Sequence, residues 1–115
     1  MAGQAGIRLD DFIQSADINK VDLIKLDVDG NECGVLRGAE NCLSCFRPKI
    51  IMELATSYHE DKSQDSAQEL LRILNAAGYD LHTLDTNRKL PEQMDAINRL
   101  IPAGSSMNIL ATPLE

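Results

Sequence analysis

The chain has few aromatic residues and a minority of basic ones. Among its 115 residues there are two Tyr, two Phe and no Trp, so large stacking surfaces for nucleic-acid bases are not expected. The 11 Lys and Arg face 18 Asp and Glu, which gives a formal net charge of −7. Nucleic acids and anionic membranes bind through clustered Lys and Arg. The composition therefore argues against either as a partner.

Long apolar runs and paired cysteines are also missing. No segment approaches the roughly 20 apolar residues of a membrane span, and residues 1–6 lack the basic and apolar regions of a secretory signal. The three cysteines, Cys33, Cys42 and Cys45, are an odd number. Reduced thiols are the simplest interpretation, so we expect a cytoplasmic protein. Cys42 and Cys45 form a C-x-x-C without a second ligand pair, and no metal site is predicted.

The apolar pattern alternates between helical and extended segments in one domain, expected at residues 9–115 after a disordered lead at 1–8. Helices are predicted at residues 9–13, 32–46, 66–77 and from Pro91 to about residue 100. Strands are predicted at residues 21–28, 49–54, 79–84 and 107–112. This alternation predicts an α/β domain with a mostly parallel sheet of about four strands. The first strand has apolar residues on both faces, which is typical of a strand covered on both sides.

Two glycines lie inside the predicted helix at 32–46. Gly34 and Gly38 are four residues apart, so they lie on the same face of the helix. Each destabilises the helix by about 0.5–1 kcal/mol relative to alanine, and close approach of this face to the sheet would offset that loss. At the next helix, Ser66 and Glu69 form a capping-box pattern. Gly78 is expected to end that helix in a left-handed conformation.

The most informative segment is L-I-K-L-D-V-D-G-N-E at residues 23–32. An apolar strand ends in Asp27 and Asp29, Gly30 turns the chain, and a helix begins at Glu32. Glu53 lies near the end of the following strand. Open α/β sheets place their ligands beyond the carboxyl ends of the strands. The sequence therefore predicts a site that contains Asp27, Asp29, Glu32 and Glu53.

This segment resembles the first motif of the haloacid-dehalogenase phosphatases, which is an apolar strand followed by D-x-D-G-T. The resemblance implies that Asp27 is the nucleophile and Asp29 the acid/base beside a magnesium ion. Asn31 stands in place of the usual Thr. The family's later acidic pair has no counterpart in this chain, and a phosphatase is kept as an alternative.

A second resemblance covers residues 9–54 and preserves the order and spacing of its pieces. They are L-D-D-F at 9–12, the acidic segment at 21–32, V-L-R-G-A at 35–39, R-P at 47–48 and I-M-E-L at 51–54. With these pieces the chain resembles the carboxyl-terminal half of FkbM-type methyltransferases, a family that uses S-adenosylmethionine. The family usually has Glu where Asp29 stands.

The resemblance implies part of a Rossmann-like fold, with strands in the order 4-5-7-6 of the full fold and flanking helices. It implies S-adenosylmethionine as the cofactor and methyl transfer to an oxygen or nitrogen acceptor, a small molecule or a glycan, in the intact enzyme. Asp27 would orient or deprotonate that acceptor. Residues 1–8 match neither the glycine-rich turn nor the ribose-binding acid of such folds. The principal cofactor-binding half is therefore expected to be absent from this chain, and no cofactor-binding residue is assigned.

Without the first strand of the full fold, the strand at 21–28 is expected to lie at an edge of the sheet. An exposed apolar edge pairs readily with another chain. We therefore predict a homodimer formed through this strand or the adjacent helices. A non-catalytic, self-associating remnant or binding module is the alternative to an enzyme segment.

Overall fold

The computed structural model describes residues 8–26, 32–55, 67–91, 93–101 and 105–114. Within these ranges there are five helices: α1 (Leu9–Ser15), α2 (Glu32–Arg37), α3 (Glu40–Cys45), α4 (Ala67–Ala76) and α5 (Met94–Leu100). The strands there are β1 (Leu23–Leu26), β2 (Lys49–Ala55), β3 (Tyr79–Thr83) and β4 (Ser106–Pro113). This confirms the α/β class. None of the described helices has the length and apolar character needed to cross a membrane. The predicted N-cap Ser66 lies outside the described residues.

The four strands form one sheet in the order β1-β2-β4-β3. Numbered 4 to 7 along the chain, this is the order 4-5-7-6 that the resemblance implies. β1 and β2 are parallel, with Leu26 opposite Met52. β4 is antiparallel to both of its neighbours. The prediction of a mostly parallel sheet was therefore wrong, because two of the three pairings are antiparallel.

β4 begins at the same end of the sheet at which β3 ends, and α5 lies in the connection between them. The seven residues of α5 span about 10 Å at the helical rise, whereas the eight residues of β4 span about 27 Å. α5 alone does not span the length of β4, and the register places the start of β4 beside the end of β3. The Leu84 N–H donates to the Asn108 carbonyl oxygen (3.0 Å) at this point. Hydrophobic periodicity predicts a helix but not the direction of the strand after it.

One face of the sheet carries the core. Residues opposite each other in an antiparallel pair share a face, and Met52 pairs with Ile109 while Leu81 pairs with Ala111. All four are buried. They form one cluster with residues from every described helix: Ile13, Leu36, Leu43, Leu74 and Ile97. We call this side of the sheet the first face.

The second face is open in the described part of the chain. Lys25, Glu53 and Asn108 are exposed there, Leu23 is 54% exposed, and no described residue of this face belongs to the core cluster. The prediction that the first strand is covered on both sides was therefore wrong for the described residues. Apolar side chains on both faces suggested two covering layers, but the buried residues of the described helices all pack on the first face.

The predicted helix at 32–46 is divided into α2 and α3. Gly34 is exposed, and Gly38 packs near Arg8, whose Cβ lies 3.3 Å from where a Cβ on Gly38 would be. The expectation that both glycines approach the sheet was therefore wrong. The Asp10 N–H donates to the Gly38 carbonyl oxygen (2.9 Å), so the break in the helix provides the contact with α1.

Asp10 caps the first turn of α3 from a neighbouring helix. Its carboxylate accepts hydrogen bonds from the backbone N–H groups of Asn41 and Cys42, both at 2.9 Å. The first N–H groups of a helix have no partner within it, and the N-cap residue Ala39 has no side-chain acceptor to offer them. Capping of α3 therefore explains Asp10, the first Asp of the L-D-D segment.

Arg47 joins the ends of α3, α4 and β4. Its Nη1 donates to the carbonyl oxygens of Leu43 (3.3 Å) and Ala77 (2.8 Å). Its Nη2 donates to the carbonyl oxygens of Gly78 (2.9 Å) and Leu114 (3.0 Å). We call this set of bonds the Arg47 clamp. Gly78 has a φ of +80°, which confirms the predicted left-handed end of its helix.

Tyr79 completes the surroundings of the clamp. The Arg47 guanidinium carbon lies 5.1 Å from the centroid of the Tyr79 ring, within the range of a cation–π contact. The Tyr79 hydroxyl donates to the Pro48 carbonyl oxygen (2.6 Å). The buried tyrosine therefore packs under the guanidinium and fixes the segment that leads into β2.

We expect Arg47→Ala to lower the free energy of unfolding by about 3 kcal/mol, since a hydrogen bond to a charged group contributes about 1.5–3 kcal/mol. Arg47→Lys should be intermediate, because an ammonium group lacks the planar fork that reaches several carbonyls. Urea unfolding measures both. Arg72→Ala is the matched control, because it removes an exposed pair with Glu69 and should cost less than about 1 kcal/mol. Equal losses in Arg47→Ala and Arg72→Ala would contradict the clamp.

Candidate functional site at the carboxyl end of the sheet

β1, β2 and β3 end at the same side of the sheet at which β4 begins. The register places Leu26 opposite Met52, Ala55 opposite Ser106 and Thr83 opposite Ile109. We call this side the carboxyl end of the sheet. Ligands of open α/β folds bind at such an end, because the connections that follow the strands converge there.

The four predicted site residues are distributed along this end. Asp27 and Asp29 lie outside the described residues, in the connection between the end of β1 at Leu26 and the start of α2 at Glu32. Glu32 is in the first turn of α2 and is only 7% exposed. A negative charge is favourable in a first helical turn, which gives Glu32 a structural role besides the predicted one.

Glu53 is separated from Glu32 by the sheet. It is exposed on the second face, whereas α2 packs on the first face through Leu36. β2 therefore presents Glu53 on the face opposite to the one on which α2 packs. The predictions for all four residues stay predictions.

Asn108 is a polar neighbour of Glu53 that the sequence did not indicate. The two residues are directly opposite in the β2–β4 pair and both are exposed. Opposite Cβ atoms in such a pair are about 4.5–5.5 Å apart. A carboxylate that accepts and an amide that donates thus lie side by side. Recognising this pair requires the direction and register of β4 relative to β2. The prediction of strands from the sequence does not provide either.

A family model described as "Methyltransferase FkbM domain" matches residues 4–81, more than half of the chain. The chain belongs to the FkbM methyltransferase domain family. Searches among curated proteins and among solved structures gave no match. The family membership confirms the resemblance predicted from the sequence.

The match assigns the acidic segment to the FkbM domain. It includes Asp27, Asp29, Glu32 and Glu53, so the segment that resembled a phosphatase motif is part of a methyltransferase family. Asn108 lies beyond the matched residues, as do α5 and β4. The FkbM match therefore covers β1 and β2 and ends within β3.

The cysteines of the FkbM domain are in different environments. Cys33 and Cys42 are buried, whereas Cys45 is exposed. Burial raises the pKa of the Cys42 thiol, and the nearby Asp10 carboxylate adds to this increase. Among the described residues there is no group of three or more His, Cys, Asp or Glu side chains that could hold a metal ion.

We expect Ellman's reagent to react rapidly with Cys45 in the native protein at pH 8 and slowly with Cys33 and Cys42, because the exposed thiolate is the reactive species. Cys45→Ser should remove the rapid phase, whereas Cys42→Ser should leave it intact. A rapid phase that persists in Cys45→Ser would contradict the assignment.

The raised pKa keeps the Cys42 thiol protonated to higher pH in the folded chain than in the unfolded chain. The stabilisation that this provides is therefore lost as the pH rises above the ordinary value of 9.0.

Proposed function

We propose that this FkbM domain takes part in methyl transfer from S-adenosylmethionine to an oxygen or nitrogen atom of a small molecule or glycan. The observation that carries the proposal is the family match over residues 4–81. That match contains the acidic segment that follows β1 in the sequence, and folds of this kind place their ligands beyond the carboxyl ends of the strands. When bound, S-adenosylmethionine supplies an electrophilic methyl group.

Methyl transfer is an in-line displacement, so the protein must align the acceptor atom and accept its proton. We assign Asp27 to this task and propose that it is assisted by Asp29, two residues later in the sequence, and by Glu32 in the first turn of α2. Glu53 and Asn108 would bind a polar part of the acceptor, since the carboxylate accepts from a hydroxyl or amine and the amide donates. Their exposure and opposite placement on β2 and β4 support this role.

The cofactor contacts are proposed to come mainly from outside the described residues. A Rossmann-like fold holds its cofactor on a glycine-rich turn between a strand and a helix. The described glycines do not lie in such a turn, because Gly34 is in α2, Gly38 follows α2 and Gly78 follows α4. The described elements would then bind the acceptor rather than the principal part of the cofactor.

Calorimetric titration of the 115-residue chain with S-adenosylmethionine tests this division. We expect no micromolar binding to this chain, and micromolar binding to a longer protein if the reading frame continues upstream of Met1. Micromolar binding to the 115-residue chain would contradict the proposed location of the cofactor contacts.

The substitution Asp27→Asn is made in whichever form of this protein binds S-adenosylmethionine, the 115-residue chain or a longer protein that contains it. It is expected to reduce the rate of methyl transfer at least about a hundredfold, the typical contribution of a general base. Cofactor affinity should be unchanged. Glu40→Gln, at an exposed position of α3, is the matched control. Full activity in Asp27→Asn would contradict its role. Magnesium-dependent hydrolysis of a phosphate ester, abolished by Asp27→Asn, would instead favour a phosphatase.

We also propose that two copies of the chain associate through β1. Among the described strands, β1 pairs only with β2, so its other edge has backbone groups available for a further strand. Leu23 is 54% exposed beside this edge. A two-fold axis would pair β1 with its copy in antiparallel fashion. This property would be shared by an enzyme segment and by a non-catalytic binding module.

Light scattering after size exclusion is expected to give the mass of a dimer. Leu23→Asp should produce monomers, because like charges would face each other across the paired edges. Leu84→Asp introduces the same charge at an exposed position after β3, the outermost strand on the other side of the sheet, and should leave the dimer intact. A monodisperse monomer of the unaltered chain at high concentration would contradict the proposal.

A further inference from the structure

A cavity of about 650 Å³ lies at the carboxyl end of the sheet, between the turn that follows β3 and helix α5. Thr83 at the end of β3 and Met107 at the start of β4 line it on the first face. The volume falls within the range of about 300–1,000 Å³ typical of small-molecule sites. Every described residue that lines it lies beyond residue 81, where the FkbM match ends.

The described charged residues that line this cavity are mainly basic, although the protein has a net charge of −7. Among the described residues that line it, three are basic (Arg88, Lys89 and Arg99) and one, Asp85, is acidic. Lys89 is partly compensated, because its Nζ lies 3.5 Å from a carboxylate oxygen of Asp80. In the part of the chain that the structure describes, no side-chain hydrogen bond or ion pair engages the guanidinium of Arg88 or Arg99.

The turn that carries Arg88 is held by a dense set of hydrogen bonds. The Thr83 N–H donates to the Arg88 carbonyl oxygen (2.8 Å), and the Arg88 N–H donates to the Thr83 hydroxyl oxygen (2.9 Å). The hydroxyls of Thr83 and Thr86 are 2.7 Å apart. Asn87 has a φ of +55° within this turn, and its N–H donates to the Thr83 carbonyl oxygen (3.0 Å). The backbone that presents Arg88 is therefore fixed before any ligand binds.

Arg99 is presented by an anchored helix. Ile97 and Ile101, on either side of it in sequence, are 0% and 1% exposed in the core. Their burial fixes the rotation of α5 about its axis, with Ala96, Arg99 and Leu100 lining the cavity. The backbone that carries Arg99 is thus also held in place by the core.

We propose that this cavity binds an organic anion, in which a phosphate or carboxylate group is attached to an apolar body. Arg88 and Arg99 would hold the anionic group, because a guanidinium presents paired donors that match two oxygens of such a group. Pro91, Leu100 and Met107 would contact the apolar part. The proposal depends on the cavity and its charges and is independent of methyl transfer.

Phenyl phosphate and benzoate are the probes, added separately to the isotope-labelled full chain while amide shifts are followed by nuclear magnetic resonance. At least one of them should bind saturably, with shifts confined to residues 83–91, 96–101 and 105–109. The comparison of the two identifies the preferred anionic group. Inorganic phosphate should bind about tenfold more weakly because it lacks the apolar part, and benzyl alcohol should not bind.

Arg88→Gln and Arg99→Gln are each expected to weaken binding about tenfold, the loss typical of a charge-assisted hydrogen bond. Arg72→Gln, also exposed but outside this cavity, is the matched control and should leave affinity unchanged. Unchanged urea midpoints would verify folding, and Arg99→Gln alone suffices if Arg88→Gln unfolds. The proposal is overturned by the absence of saturable binding, by equal binding of benzyl alcohol, or by an equal loss in Arg72→Gln.

Discussion

The hydrogen bonds of the Arg47 guanidinium are the interaction on which this arrangement of helices and strands most depends. They reach carbonyl oxygens at the ends of α3 and α4 and just after β4. Carbonyl groups at a helix end have no donor within the helix. β4 lies between β2 and β3 and is hydrogen-bonded to both, so it joins β3 to the rest of the sheet. One charged side chain therefore satisfies several acceptors and fixes one end of the strand that holds the sheet together.

The clamp and the candidate site lie at opposite ends of the sheet. β4 ends near Arg47, beside the start of β3, and it begins at the carboxyl end, where Glu53 and Asn108 pair. The interactions that stabilise the fold are thus separated from the connections that carry polar side chains. Connections on a rigid scaffold tolerate changes in sequence better than the elements they join. Residues at the carboxyl end can therefore serve binding without weakening the clamp.

The element types and the strand order could be predicted from the sequence, because apolar periodicity is local and the family pieces keep their spacing. Other features depend on contacts between distant residues. The break between α2 and α3 accompanies the capping of Asn41 and Cys42 by Asp10, more than 30 residues earlier. The pairing of Glu53 with Asn108 required both the direction and the register of β4. Neither is encoded in the local pattern of residues 107–112.

The arginine-lined cavity could not be recognised from the sequence either, because Arg88 and Arg99 are on different elements and form no motif. Its significance comes from charge. Acidic residues outnumber basic ones by 18 to 11, yet the described charged residues that line this cavity are mainly basic. Two arginines nevertheless face one cavity without a described acidic partner. This arrangement favours an external anion over an internal ion pair. Every described residue that lines the cavity lies beyond residue 81, where the FkbM match ends, so the turn after β3, α5 and the start of β4 form a recognition surface that the matched segment does not contain.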